Sequence, residues 1–153
     1  MRSWFGVVAL LAAGCAEKWS ASDAVEAEFV GPGVFGVVVT TTPDAWPEEL
    51  FDGAVRATFE GDGALASLDT DRDLLQGGDR WVNVLDAFDD CDRSATCERT
   101  FRFDVACEGE CPGTVAVDAF LSQETWRDVD FHEGAITLVL VDEQGDPLGA
   151  SGG

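Results

Sequence analysis

The sequence predicts an all-β domain, an antiparallel β-sandwich or small barrel pinned by two local disulfides, and three observations predict it. Apolar residues recur with a period of two through the middle of the chain, the spacing of half-buried strands. Clusters of glycine and proline punctuate those runs, as turns require. Four cysteines, Cys91, Cys97, Cys107 and Cys111, crowd into one short stretch and make an even set for pairing.

Taken in chain order, Val25, Ala27 and Phe29 alternate with Glu26 and Glu28, which reads as a strand with one wet face. Residues 34–42 are continuously apolar and β-branched, as expected of a central strand buried on both sides or packed under loops. Val55, Ala57 and Phe59 alternate with Arg56, Thr58 and Glu60, and Phe101, Phe103 and Val105 alternate with Arg102 and Asp104. Val115, Val117, Ala119 and Leu121 share one face beyond a Cys-Pro-Gly turn at residues 111–113, and residues 135–141 form a second central strand, the end of a hairpin starting at Thr125. Turns fall at Gly31-Pro32-Gly33, Gly61-Asp62-Gly63, Gly77-Gly78 and His132-Glu133-Gly134. Residues 47–51 and 71–75 each read as one helical turn, and 81–88 fits either strand or helix. One β-rich domain over residues 25–143 follows, an immunoglobulin-like sandwich or a small barrel, with a flexible, turn-rich tail at 144–153.

Strand geometry selects the disulfide pairing. The alternation between Cys97 and Cys107 makes that segment extended, so its ten steps span ~30 Å, whereas a disulfide needs Cα atoms within ~7 Å. Cys97 therefore cannot pair with Cys107. Joining Cys91 to Cys107 asks a six-step segment of at most ~21 Å to bridge the same gap. Cys91 with Cys97 and Cys107 with Cys111 remain, one small loop at each end of a strand. The competing use of the four thiols is a structural zinc site, but their intervening spacings of five, nine and three residues lack the paired Cys-x2-Cys knuckles of such sites.

The N-terminus carries a different kind of signal. Met1-Arg2-Ser3 is a short positive segment, and residues 4–13 are an apolar run of signal-peptide length, well short of the ~20 residues that span a bilayer. The run ends in Leu11-Ala12-Ala13-Gly14-Cys15, which resembles the lipobox of bacterial lipoproteins. The resemblance covers residues 1–15 alone. It implies a signal peptide over residues 1–14, a diacylglyceryl-modified Cys15 as mature N-terminus and, with Ala16 where an inner-membrane protein of that family commonly has Asp, residence at the outer membrane. Residues 15–24 would then be the lipidated end and a short tether. The same run also reads as an ordinary secretory signal cut after Ala16. Setting Cys15 aside leaves the even cysteine count that an oxidising compartment favours.

Charge bounds the function. Thirty Asp plus Glu against nine Lys plus Arg give a formal −21, which repels phosphate backbones and excludes nucleic acid as a partner. One His and no Tyr remove much of the usual acid-base machinery. Asp69, Asp71 and Asp73 have the alternate spacing that opens an EF-hand loop, yet Leu74 stands where that loop needs Gly and Arg80 where it needs Glu, leaving them weak calcium candidates. Asp86, Asp89, Asp90 and Asp92, and Asp128, Asp130 and Glu133 beside His132, read as solvated acidic loops. Trp46, Trp81 and Trp126 are candidates for a sugar-stacking row. The expectation is a lipid-anchored envelope protein with a non-catalytic interaction or structural role, a protein or glycan partner and no cofactor. A calcium- or carbohydrate-binding sandwich is the alternative, and a carboxylate-based hydrolase lies behind it.

Overall fold

The computed structural model describes residues 18–22, 24–46, 51–123 and 135–149. Ten strands occur among them: β1 Lys18–Ala21, β2 Val25–Gly31, β3 Gly33–Thr41, β4 Phe51–Glu60, β5 Ala64–Ser67, β6 Leu74–Gly77, β7 Trp81–Leu85, β8 Cys97–Ala106, β9 Cys111–Gln123 and β10 Ile136–Val141. Each pairing is antiparallel, and the strands form two sheets packed together. In the larger, β1 and β2 lie end to end along β9, followed in order by β4, β7 and β6. The smaller runs β10-β3-β8-β5. The all-β reading and its sandwich form therefore hold.

Alternation in sequence becomes alternation in space. In β8, Phe101, Phe103 and Val105 are buried while Arg102 and Ala106 are exposed, and β4 likewise buries Val55, Ala57 and Phe59 while Arg56 and Glu60 face water. The inward residues of both sheets meet in one core around Phe35, Phe103, Leu65, Val82 and Leu121, each removed from solvent. Continuous apolar runs do not require burial on both faces: Val34 and Val38 of β3 and Val139 of β10 point outward and keep partial exposure.

At one end, three chain segments change sheets side by side. β2 passes to β3 through the cis Gly31-Pro32 bond, β4 to β5 through residues 61–63, and β8 to β9 through residues 107–110. Gly31 pairs with Cys111, Glu60 with Thr114 and Ala64 with Ala106, so the three corners adjoin. This crowding demands glycine at 113, where a Cβ would stand 2.3 Å from the Glu60 carbonyl oxygen and 2.5 Å from Phe59 Cζ. A backbone oxygen in a ladder cannot move aside. Gly113→Ala is expected to lower stability by about 1–3 kcal/mol in urea unfolding, and a neutral result would show that this corner has slack.

Both disulfides pair as strand geometry required, Cys91–Cys97 with Cα atoms 5.8 Å apart and Cys107–Cys111 with Cα atoms 6.3 Å apart. The four thiols are thus unavailable as zinc ligands. Other details differ from the sequence reading. The Cys-Pro-Gly segment is the start of β9, and the turn lies just before it, where Gly109 supplies a φ of +67°. Residues 71–75 are not a helical turn, because Leu74 and Leu75 enter β6 and pair with β7. Phe51 begins β4, and residues 47–50 lie outside the described set. The ambiguous 81–88 segment is strand through Leu85, then turns at Asp86, whose φ is +49°.

The domain also reaches past both expected boundaries. Part of the supposed tether forms β1, paired with residues 120–122 of β9. The supposed tail folds back as well. Pro147 bridges to Val141, the Leu148 N–H donates to Leu140 O at 2.9 Å, and Leu148 packs against the core.

Candidate functional site

The outer face of the smaller sheet carries a cleft of about 290 Å³. Strand periodicity builds its floor: Val34, Gly36 and Val38 project outward from β3, and Thr100 and Arg102 do so from β8. Register aligns one row across the sheet, since Val141 of β10 faces Gly36 and Gly36 faces Arg102. Leu68 extends the row beyond β5, its N–H donating to Arg102 O at 2.9 Å. The missing side chain at Gly36 leaves a notch between Val141 and Arg102.

One wall is the turn after β10. Asp142 Oδ1 accepts the N–H groups of Gln144 and Asp146, both at 2.9 Å, and the Asp142 N–H donates to Asp146 O at 2.8 Å. These bonds hold the turn against the sheet and occupy the Asp142 carboxylate. Glu143 and Gln144 stand exposed at the lip. Beside the opposite wall, Asp69 Oδ2 accepts the Arg102 backbone N–H at 3.1 Å. Burial pushes the Asp69 carboxyl above its usual value, against the pull of that N–H.

The Arg102 guanidinium differs from its better-paired counterparts. Arg56 lies 3.4 Å from Asp118, and Arg99 lies 3.1 Å from Asp90. Arg72 donates to the Asp86 carbonyl at 2.7 Å and stands 5.9 Å from the centre of the Phe101 ring. Among the described residues, the Arg102 side chain has no ion pair within 4.0 Å and donates no hydrogen bond. An exposed cation over an apolar notch can receive an anion without displacing a protein partner.

The acids singled out in the sequence do separate jobs. Asp69 holds the Arg102 amide, whereas Asp71 and Asp73 are exposed, and the Asp73 carbonyl accepts the Leu85 N–H. Among the described residues, no three His, Cys, Asp or Glu side chains converge as a metal site would need. Asp92 caps Ser94, and Asp90 bridges Arg99 and Arg72 across the Cys91–Cys97 loop. The Arg99 hydrogen bond holds the Asp90 carboxyl below its usual value. A depressed folded-state pKa contributes stability above the unfolded value and loses it as pH falls through the folded one. Asp90→Asn should therefore flatten the stability curve below about pH 4, with a small amplitude because the pair is exposed. Acid titration followed by circular dichroism checks this, and identical acid limbs would deny the pair any role.

The aromatic row does not assemble from its described members. Trp46 is buried against Phe88, ring centres 6.3 Å apart, whereas Trp81 lies on the outer face of the larger sheet opposite Thr58 and Gly77. Cys15, Trp126, Asp128, Asp130, His132 and Glu133 lie outside the described residues. The cleft itself escaped the sequence reading. Its one local trace is Gly36 inside a valine-rich strand, where glycine marks a close approach or a space left open. Comparison with known proteins finds no family model, no curated protein and no solved structure that matches this chain.

Proposed function

We propose that the protein is a lipid-anchored, exported envelope protein, held at the outer membrane through Cys15, whose sandwich serves a non-catalytic interaction role. The observation that carries this reading is the order of features at the N-terminus: a basic start, a short apolar run, and Leu11-Ala12-Ala13-Gly14-Cys15. Two features of the domain support it. Two disulfides are at home in an oxidising compartment. Among the described residues, sheet structure begins at Lys18, so an anchor on Cys15 would leave only Ala16 and Glu17 between lipid and β1 and keep the sandwich close to the bilayer. The interaction role draws on the cleft, a concave surface on a rigid sheet with one cation, Arg102, that makes no ion pair within 4.0 Å.

Growth with an alkyne-tagged fatty acid, followed by mass analysis of the N-terminal peptide, tests the anchor. The tag should appear on Cys15, and a protein that never takes it up refutes the lipoprotein reading.

A further inference from the structure

We infer that the cleft over Gly36 binds a monocarboxylate with a branched aliphatic body, its carboxylate on the Arg102 guanidinium and its body in the notch. This deepens the interaction role proposed above and is independent of the anchor. Three features define the ligand. Val34, Val38 and Val141 give the floor an apolar stretch beside the polar turn, and the half-exposed Leu68 shows apolar surface that a ligand body would cover. Arg102 is the cation of the lining set; Asp69, which accepts the Arg102 backbone N–H, and Asp104, two residues along the same outward face, stand nearby, but neither pairs with the guanidinium within 4.0 Å, and Asp142 Oδ1 is held by its own turn. In a chain of 30 acids and 9 bases, a guanidinium left over such a notch is complementary to a single carboxylate. Glu143 at the lip adds a negative charge that repels a dianion or a phosphate more strongly than a single carboxylate. Thr100 presents its Cγ2 methyl toward Gly36, 3.8 Å from where a Cβ there would stand, and extends the apolar floor.

Isothermal titration of the full protein, extracted from its membrane, tests the site with isovalerate, isovaleramide and inorganic phosphate. Isovalerate should bind saturably, and the uncharged amide should bind at least about tenfold more weakly, the weight of a charge-assisted bond. Phosphate should bind more weakly than isovalerate. Arg102→Gln should cost a similar factor while its thermal midpoint confirms folding. Gly36→Ala fills the notch, with a Cβ 3.1 Å from Val141 Cγ2, and should weaken isovalerate with Arg102 intact. N-acetyl-leucine, a mimic of a peptide terminus, identifies the source: tighter binding than isovalerate points to a peptide end, and weaker binding to a free acid. No saturable heat up to about 10 mM isovalerate, an amide that binds equally well, or an unchanged Arg102→Gln overturns the inference. A protein that takes up fatty-acid label yet binds no carboxylate keeps the envelope reading and loses this one.

Discussion

Phe35→Ala is expected to remove about 3–5 kcal/mol from the unfolding free energy. Phe35 is fully buried in β3, its ring 5.4 Å from Phe29 in an edge-on arrangement and 5.4 Å from Phe103 in a stacked one. It joins β2 of one sheet to β3 and β8 of the other, so truncation opens a cavity where the sheets meet. Strand backbones pinned by ladders on both sides cannot close around that space, which places the cost at the upper end for its type. The attraction of the Phe29 and Phe103 rings for this one disappears with it and adds to the transfer cost. A domain of ordinary stability, about 5–15 kcal/mol, would lose roughly a fifth or more of its margin. Urea unfolding with the disulfides intact measures the change, and Phe35→Leu should cost much less because it keeps most of the volume. A loss below about 1 kcal/mol for the alanine variant would mean that the sheets do not pack through this residue.

Cys15→Ala is expected to change membrane association completely. The apolar run before it is too short to span a bilayer, and the acidic surface has little attraction for anionic headgroups, so a lipid on Cys15 would supply the attachment. The variant should appear either as a soluble species or as an uncleaved precursor of higher mass, while the wild type resists extraction by salt. Fractionation followed by intact-mass measurement separates the two outcomes. A variant with wild-type mass and wild-type membrane retention would show that the thiol is not the anchor. The stability and anchoring tests are independent, because Phe35 lies in the core and Cys15 precedes the first described strand.

What the sequence by itself determined was whatever rests on local periodicity and reach. β2, β4, β8 and β9 were legible because a period of two commits alternate side chains to one face whatever the neighbouring strand, and β3 and β10 because their runs are continuously apolar and β-branched. The disulfide pairing was legible for the same reason, since an extended segment keeps Cys97 and Cys107 too far apart to bond. Tertiary structure alone decided which strands became neighbours. β5 and β6, four residues each, carry too few alternations to announce themselves and exist as strands because β8 and β7 offer them open edges. β1 and the fold-back at Pro147 are likewise held by partners far along the chain. The cleft needs Gly36, Arg102 and Val141 in one row, from strands far apart in sequence, and no local pattern encodes that register. Fates of chemically similar residues diverge for this reason. Trp46 enters the core while Trp81 lies on an outer face, and Asp69 serves a backbone amide while Asp71 meets water. Periodicity assigns a side chain to a face, but what that face meets depends on pairings that only the folded chain makes.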